Sequence, residues 1–147
     1  MSKKIDRFQL LLDLAERKRK EMERLLGESQ QRVAQAEAGL RQLKQYQLEY
    51  QQQFQQAGRS GLSSGGIQTY QAFISKVSAT TLQQEQALKQ SQAQLEQVEI
   101  HWRQAMAHHK AMQKLLDKAV DEQRKLDDKR LQQELDERSQ HTRPNFI

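Results

Sequence analysis

Counted in sevens from Ile67, the second half of this chain places apolar residues at two positions per heptad over eight heptads. One position reads Ile67, Ile74, Thr81, Leu88, Leu95, Trp102, His109 and Leu116; the other reads Tyr70, Val77, Gln84, Ser91, Val98, Ala105, Met112, Ala119 and Leu126. A 3.5-residue repeat of this length marks an α-helix that buries a narrow stripe against another helix. It excludes strands, whose side chains alternate with a period of two. The first half repeats the pattern less regularly. Phe8, Ala15, Met22, Ser29, Ala36, Leu43 and Tyr50 hold one position. The complement wanders between Leu11 and Leu12 and between Leu25 and Leu26, then takes Val33, Leu40, Tyr46 and Phe54. A straight helix slipping against a strict heptad gives such a widened stripe.

One break separates the two patterns. Four of the six glycines fall in residues 58–66, together with Ser60, Ser63 and Ser64, which is turn composition. The flanks hold no proline and are rich in Gln, Glu, Lys, Arg, Leu and Ala, all good helix formers. The expected organisation is a single all-α coiled-coil hairpin. It comprises a helix over about residues 5–57, a Gly/Ser turn at 58–66, a helix over about 67–139 and a flexible tail at 140–147. At about 1.5 Å per residue the helices would be roughly 80 and 110 Å long, and helices of that length need a partner.

A reflection centred near Leu62 sets Phe8 by Leu116, Met22 by Trp102, Ala36 by Leu88, Leu43 by Thr81 and Tyr50 by Ile74. Residues from Val120 onward have no opposite number, so the second helix overhangs the first. Each buried Leu or Ile contributes roughly 1.5–3 kcal/mol at best. Ser29, Gln84, Ser91 and His109 dilute the seam, so the expectation is a marginal hairpin, monomeric and rod-like when free.

Composition narrows the function classes. Of 147 residues, 35% are hydrophobic and 5% aromatic, against about 45–50% apolar in a compact domain; mean hydropathy is −1.00. There is no cysteine, hence no disulfide, thiol nucleophile or Cys-ligated metal. No stretch approaches the roughly 20 apolar residues of a spanning helix, and the N-terminal segment lacks a signal-peptide pattern. The chain is expected to be cytoplasmic.

His101 and His108 share a face about 10 Å apart, too far for a tight metal site, and no third ligand converges on them. No phosphate-binding glycine loop, Ser/His/Asp set or carboxylate pair is present, and a coiled coil offers no dry concave pocket. The reading is therefore no enzyme, no metal and no cofactor.

Two places suit binding. All three tyrosines, Tyr46, Tyr50 and Tyr70, fall near the turn in the reflected hairpin, where coiled-coil core is their default role. Phe73 lies one step off the seam beside Ile74, the position of an exposed aromatic anchor. The opposite end is basic, in keeping with a net charge of +5. Lys3, Lys4, Arg7 and the run Arg17, Lys18, Arg19, Lys20 meet Lys118, Arg124, Lys125, Lys129 and Arg130. Asp117, Asp121, Glu122, Asp127 and Asp128 are interspersed, and no aromatics are interleaved, so this is not a nucleic-acid stripe.

Several segments resemble the flagellar type III export protein FliJ family. They are Leu10-Leu11-Leu12-Asp13-Leu14-Ala15-Glu16-Arg17-Lys18, Leu25-Leu26-Gly27-Glu28-Ser29, Leu43-Lys44-Gln45-Tyr46-Gln47-Leu48-Glu49-Tyr50, Tyr70-Gln71-Ala72-Phe73-Ile74 and Trp102-Arg103. The likeness covers nearly the whole chain. It implies a two-helix antiparallel coiled coil similar to the rotor stalk of rotary ATPases, peripheral to the inner-membrane export apparatus. It further implies a stem that inserts into and stimulates the hexameric export ATPase, contact with the membrane export gate, and handling of export chaperones.

The family's gate-binding face, carried over position by position, falls on Leu43, Tyr46, Tyr50, Phe73 and Val77. Gly39, Thr80 and Gln84 stand at its edges and depart from the family's pattern. The basic end supplies the expected ATPase contacts: Lys3, Lys4, Arg7, Arg17, Lys18 and Arg19, with Arg124, Lys125, Lys129 and Arg130 on the overhang. The alternative is an export chaperone or tether, flagellar or injectisome, with no ATPase role.

Overall fold

A computed structural model describes residues 2–142. Two α-helices make up the described chain, α1 (Lys3–Arg59) and α2 (Ser64–Thr142), packed against each other in antiparallel fashion. Exposed i,i+4 pairs recur along both, such as Gln9 donating to Asp13 at 3.0 Å, Arg24 to Glu28 at 2.7 Å and Gln113 to Asp117 at 3.0 Å. Each such pair adds about 0.2–0.5 kcal/mol, which is how a glutamine-rich sequence sustains long helices.

The turn is shorter than its composition implies. Only residues 60–63 leave the helices, because Ser63 caps α2: its Oγ accepts from the Gly66 N–H at 3.2 Å, and its carbonyl accepts from Ile67 N–H at 3.1 Å. That is an N-cap bond to the third helical residue, and it draws Gly65 and Gly66 into α2. At the other side Gly61 adopts φ +88°, the left-handed conformation that ends many helices and suits glycine alone at low cost. α2 runs on to Thr142, past the expected end near Ser139; residues 143–147 of the expected tail lie outside the described residues.

The chain forms two compact units, one built from residues up to Glu21 and from Arg103 on, the other from Met22 to Trp102. In the first, Leu12, Ala15, Ala105, Leu116 and Ala119 are buried and Phe8, His109 and Met112 half-buried. In the second, Met22, Ser29, Leu40 and Val77 are buried and Leu43, Tyr50, Ile74, Leu88 and Trp102 half-buried. Among the described residues no side chain is fully enclosed, as expected of a core only two helices thick. Within the second unit Lys44 pairs with Glu85 at 3.8 Å, Tyr50 stacks on Phe73 and Phe54 on Tyr70. The two stacked pairs fit the register about Leu62.

The seam of α1 is stricter than the sequence reading. Its complement does not drift but runs Ile5, Leu12, Arg19, Leu26, Val33, Leu40, Gln47 and Phe54, all buried or half-buried, while Leu11 and Tyr46 face out. Heptad geometry outranks residue polarity here: Arg19 takes a seam position within a charged run, and Gln47 takes one between Tyr46 and Leu48. The α2 seam is as expected from Tyr70 to Ala119. Ile67 and Leu126, its two ends, are 40% and 51% exposed.

Candidate functional site: aromatic tip and basic stem

Near the turn, five aromatic side chains form one continuous stack. Phe54 lies on Tyr70 with ring centroids 3.5 Å apart and planes within 10°. Tyr70 is parallel to Tyr50 at 5.7 Å, Tyr50 stacks on Phe73 at 3.9 Å, and Phe73 meets Tyr46 at 6.3 Å with a 47° tilt. The stack alternates between the helices and therefore joins them.

Of the residues assigned from the sequence, Tyr46 is the open one, at 56% exposure, while Leu43 and Tyr50 are half-buried in the seam. Val77 is buried at 8% and supports the face from beneath. Phe73 is half-buried and stacked, not the free-standing aromatic its off-seam position suggested. The wide aromatic rings on α1 reach beyond the seam and cover one side of it.

Two clefts flank the stack. One, of about 210 Å³, is lined by Gly39, Gln42, Leu43 and Tyr46, so three of the residues singled out from the sequence do converge. The other, of about 380 Å³, lies at the turn between Phe54, Tyr70, Leu62 and the Gly65-Gly66 pair, with Gln53 and Thr69 on its rim. Sequence reasoning kept Phe54 as a seam residue and overlooked its part in this cleft. Its spacing from Tyr50, one helical turn, was the available signal.

The stem, in the other unit, separates engaged from open cations. Lys4 reaches Glu122 across the helices at 3.6 Å and lies 5.9 Å over the Phe8 ring. Arg19, with a side chain only 21% exposed, and Lys20 both contact Glu16, at 3.7 and 3.8 Å. Lys3, Arg7, Arg17 and Lys18 are exposed, as are Arg124, Lys125, Lys129 and Arg130. From Arg124 to His141 every residue of α2 is exposed, as expected where α1 offers nothing opposite. His101 and His108 are exposed and His109 half-buried in the seam. Among the described residues no group of three or more His, Cys, Asp or Glu is placed to hold a metal ion, and no helix is long and apolar enough to cross a membrane.

The family model of the flagellar FliJ protein matches residues 3–143, both helices together with the turn. The chain belongs to the FliJ family. No curated protein and no solved structure showed significant similarity to it. Membership ties this FliJ-family chain to flagellar type III export, the system that sequence alone left open against the injectisome.

Proposed function

We propose that this FliJ-family chain is a stalk of the flagellar export apparatus. Its stem enters the hexameric export ATPase and stimulates turnover, and its aromatic tip contacts the membrane export gate. The family match over residues 3–143 carries the reading. The division of surfaces supports it: a charged stem suits electrostatic steering into a ring, whereas a stacked aromatic face suits a desolvated protein contact. On the stem, Arg124, Lys125, Lys129 and Arg130 are exposed and available to acidic groups of the ring. Lys3, Lys4, Arg7, Arg17 and Lys18 complete that contact from α1, and Arg19 stiffens it from the seam. At the tip Tyr46 makes the direct contact, with Leu43, Tyr50 and Phe73 exposing their edges around it and Val77 holding them from below. Chaperone handling accompanies the gate contact.

The test is ATP hydrolysis by the cognate ring with wild-type chain and with the fourfold variant Arg124→Glu, Lys125→Glu, Lys129→Glu, Arg130→Glu. Wild type should stimulate, the variant should not, and both should show the same helical circular dichroism. Stimulation that survives the charge reversal removes the overhang from the ATPase contact. A wild-type chain that binds export cargo one to one without affecting hydrolysis is a chaperone instead.

A further inference from the structure

The stem carries a second apolar stripe that the hairpin does not use. Leu10 and Leu14 are 60% and 51% exposed, on the side of α1 turned away from Phe8, Leu12 and Ala15 in the seam, and Leu11, 44% exposed, stands between them and the seam's edge. At about 100° per residue, Lys3, Arg7, Arg17 and Lys18 fall on or beside that same stripe, before and after the leucines. Leu115 of α2, 40% exposed, extends it. Leu11 stands one heptad after Lys4 and Leu115 one heptad before Glu122, so the Lys4–Glu122 pair marks the edge along which both leucines lie.

The cations on this face are not held in ion pairs. Lys3, Arg7, Arg17 and Lys18 form no ion pair among the described residues, whereas Lys4 at the edge of the stripe, and Arg19, Lys20 and Arg24 off it, are each paired with a glutamate. Asp6 and Asp13 lie on the flank, Asp13 holding Gln9, and no acid falls on the stripe before Glu21. Four open cations thus frame exposed leucines on a helix that is already folded.

We infer that this face docks on an anionic lipid bilayer. A helix lying in the interface needs an apolar ridge to reach the headgroup–acyl boundary and cations beside it at the level of the phosphates. Arg7, Arg17 and Lys18 have stems long enough to place their charge there while the leucines sink past them. A groove on a protein would have to match the shape of particular side chains. A bilayer asks only for an exposed convex ridge with net positive charge, and Leu10, Leu11 and Leu14 with their flanking bases provide both. The inference goes beyond the stalk reading, and because it draws on Lys3, Arg7, Arg17 and Lys18, docking on lipid and docking on the ATPase exclude each other.

The experiment is flotation of the full chain with vesicles of phosphatidylglycerol and phosphatidylethanolamine, and separately with phosphatidylcholine vesicles, at about 0.1 M salt. The chain should float with the anionic vesicles alone. Binding should fall about tenfold or more in Leu10→Gln/Leu14→Gln and in Arg7→Glu/Lys18→Glu. Both double variants change exposed side chains, and circular dichroism should show their helices intact. In a Trp102→Phe background, the emission of Leu14→Trp should shift to the blue on the anionic vesicles. No binding to those vesicles, or binding that survives both double variants, overturns the inference. Unchanged lipid binding by the leucine variant, with ATPase stimulation lost in a lipid-free assay, would assign the face to a protein instead.

Discussion

Replacing Phe73 by alanine separates the two roles that the tip combines. Truncating a fully buried phenylalanine costs about 3–5 kcal/mol, and Phe73 is half-buried, so the burial part comes to about 2 kcal/mol. Its ring also stacks on Tyr50 at 3.9 Å and touches Tyr46 at 6.3 Å. Such aromatic pairs add about 0.5–1.5 kcal/mol, part of it already counted as burial, for a total of about 2–3 kcal/mol. In a chain of this size each kcal/mol moves the melting temperature by about 2–4 °C, so Phe73→Ala should melt about 5–10 °C below wild type. Tyr46 is 56% exposed with one tilted contact, and Tyr46→Ala should lose less than about 1 kcal/mol. Thermal circular dichroism gives both values. Gate binding should fall in both variants, in Tyr46→Ala without a stability change to explain it. A Phe73→Ala melt within about 2 °C of wild type, or a larger loss from Tyr46→Ala, would show that the stack does not hold the tip together.

Trp102 has a buried Nε1–H with no acceptor among the described residues. Trp102→Phe removes the unmet donor and should leave stability within about 0.5 kcal/mol of wild type or raise it, since leaving a buried donor unmet costs about 1–3 kcal/mol; urea denaturation reads the difference. Ser63→Ala removes the cap of α2 and should cost about 1 kcal/mol, and Gly61→Ala at φ +88° should cost about 1 kcal/mol or more through backbone strain. Arg19→Leu and Gln47→Leu restore apolar residues at seam positions and should each raise the melting temperature by a few degrees, about 1 kcal/mol apiece. A drop from either would return the α1 seam to the drifting pattern.

The hairpin was legible because a heptad over this length has one physical solution, and the α2 seam from Tyr70 to Ala119 can be read directly from the spacing. The α1 complement was harder to read. At two heptads an apolar neighbour competes with the residue that geometry selects, Leu11 with Leu12 and Tyr46 with Gln47, and at another the selected residue is Arg19. Composition misjudged the turn for a related reason. Gly65 and Gly66 look like loop, but one serine hydroxyl at residue 63 supplies the bond that starts the helix before them. At the tip, the seam places of Leu43, Tyr50 and Val77 were readable from the spacing, whereas the outward turn of Tyr46 and the stacking of Phe73 depend on how rings from two helices interleave. Leu10 and Leu14 become conspicuous only once the seam is fixed, because in the sequence they merge with Leu11 and Leu12 into one apolar run.

The stalk reading rests on how many chains a ring requires. The direct measurement is the rate of ATP hydrolysis by the cognate export ATPase as this chain is titrated into a fixed concentration of assembled ring. A stalk held by its stem should raise the rate and saturate near one chain per hexamer, with the midpoint moving to higher concentration as salt screens the basic contacts. A rate that does not change, or one that rises until every ATPase subunit carries its own chain, would contradict the account.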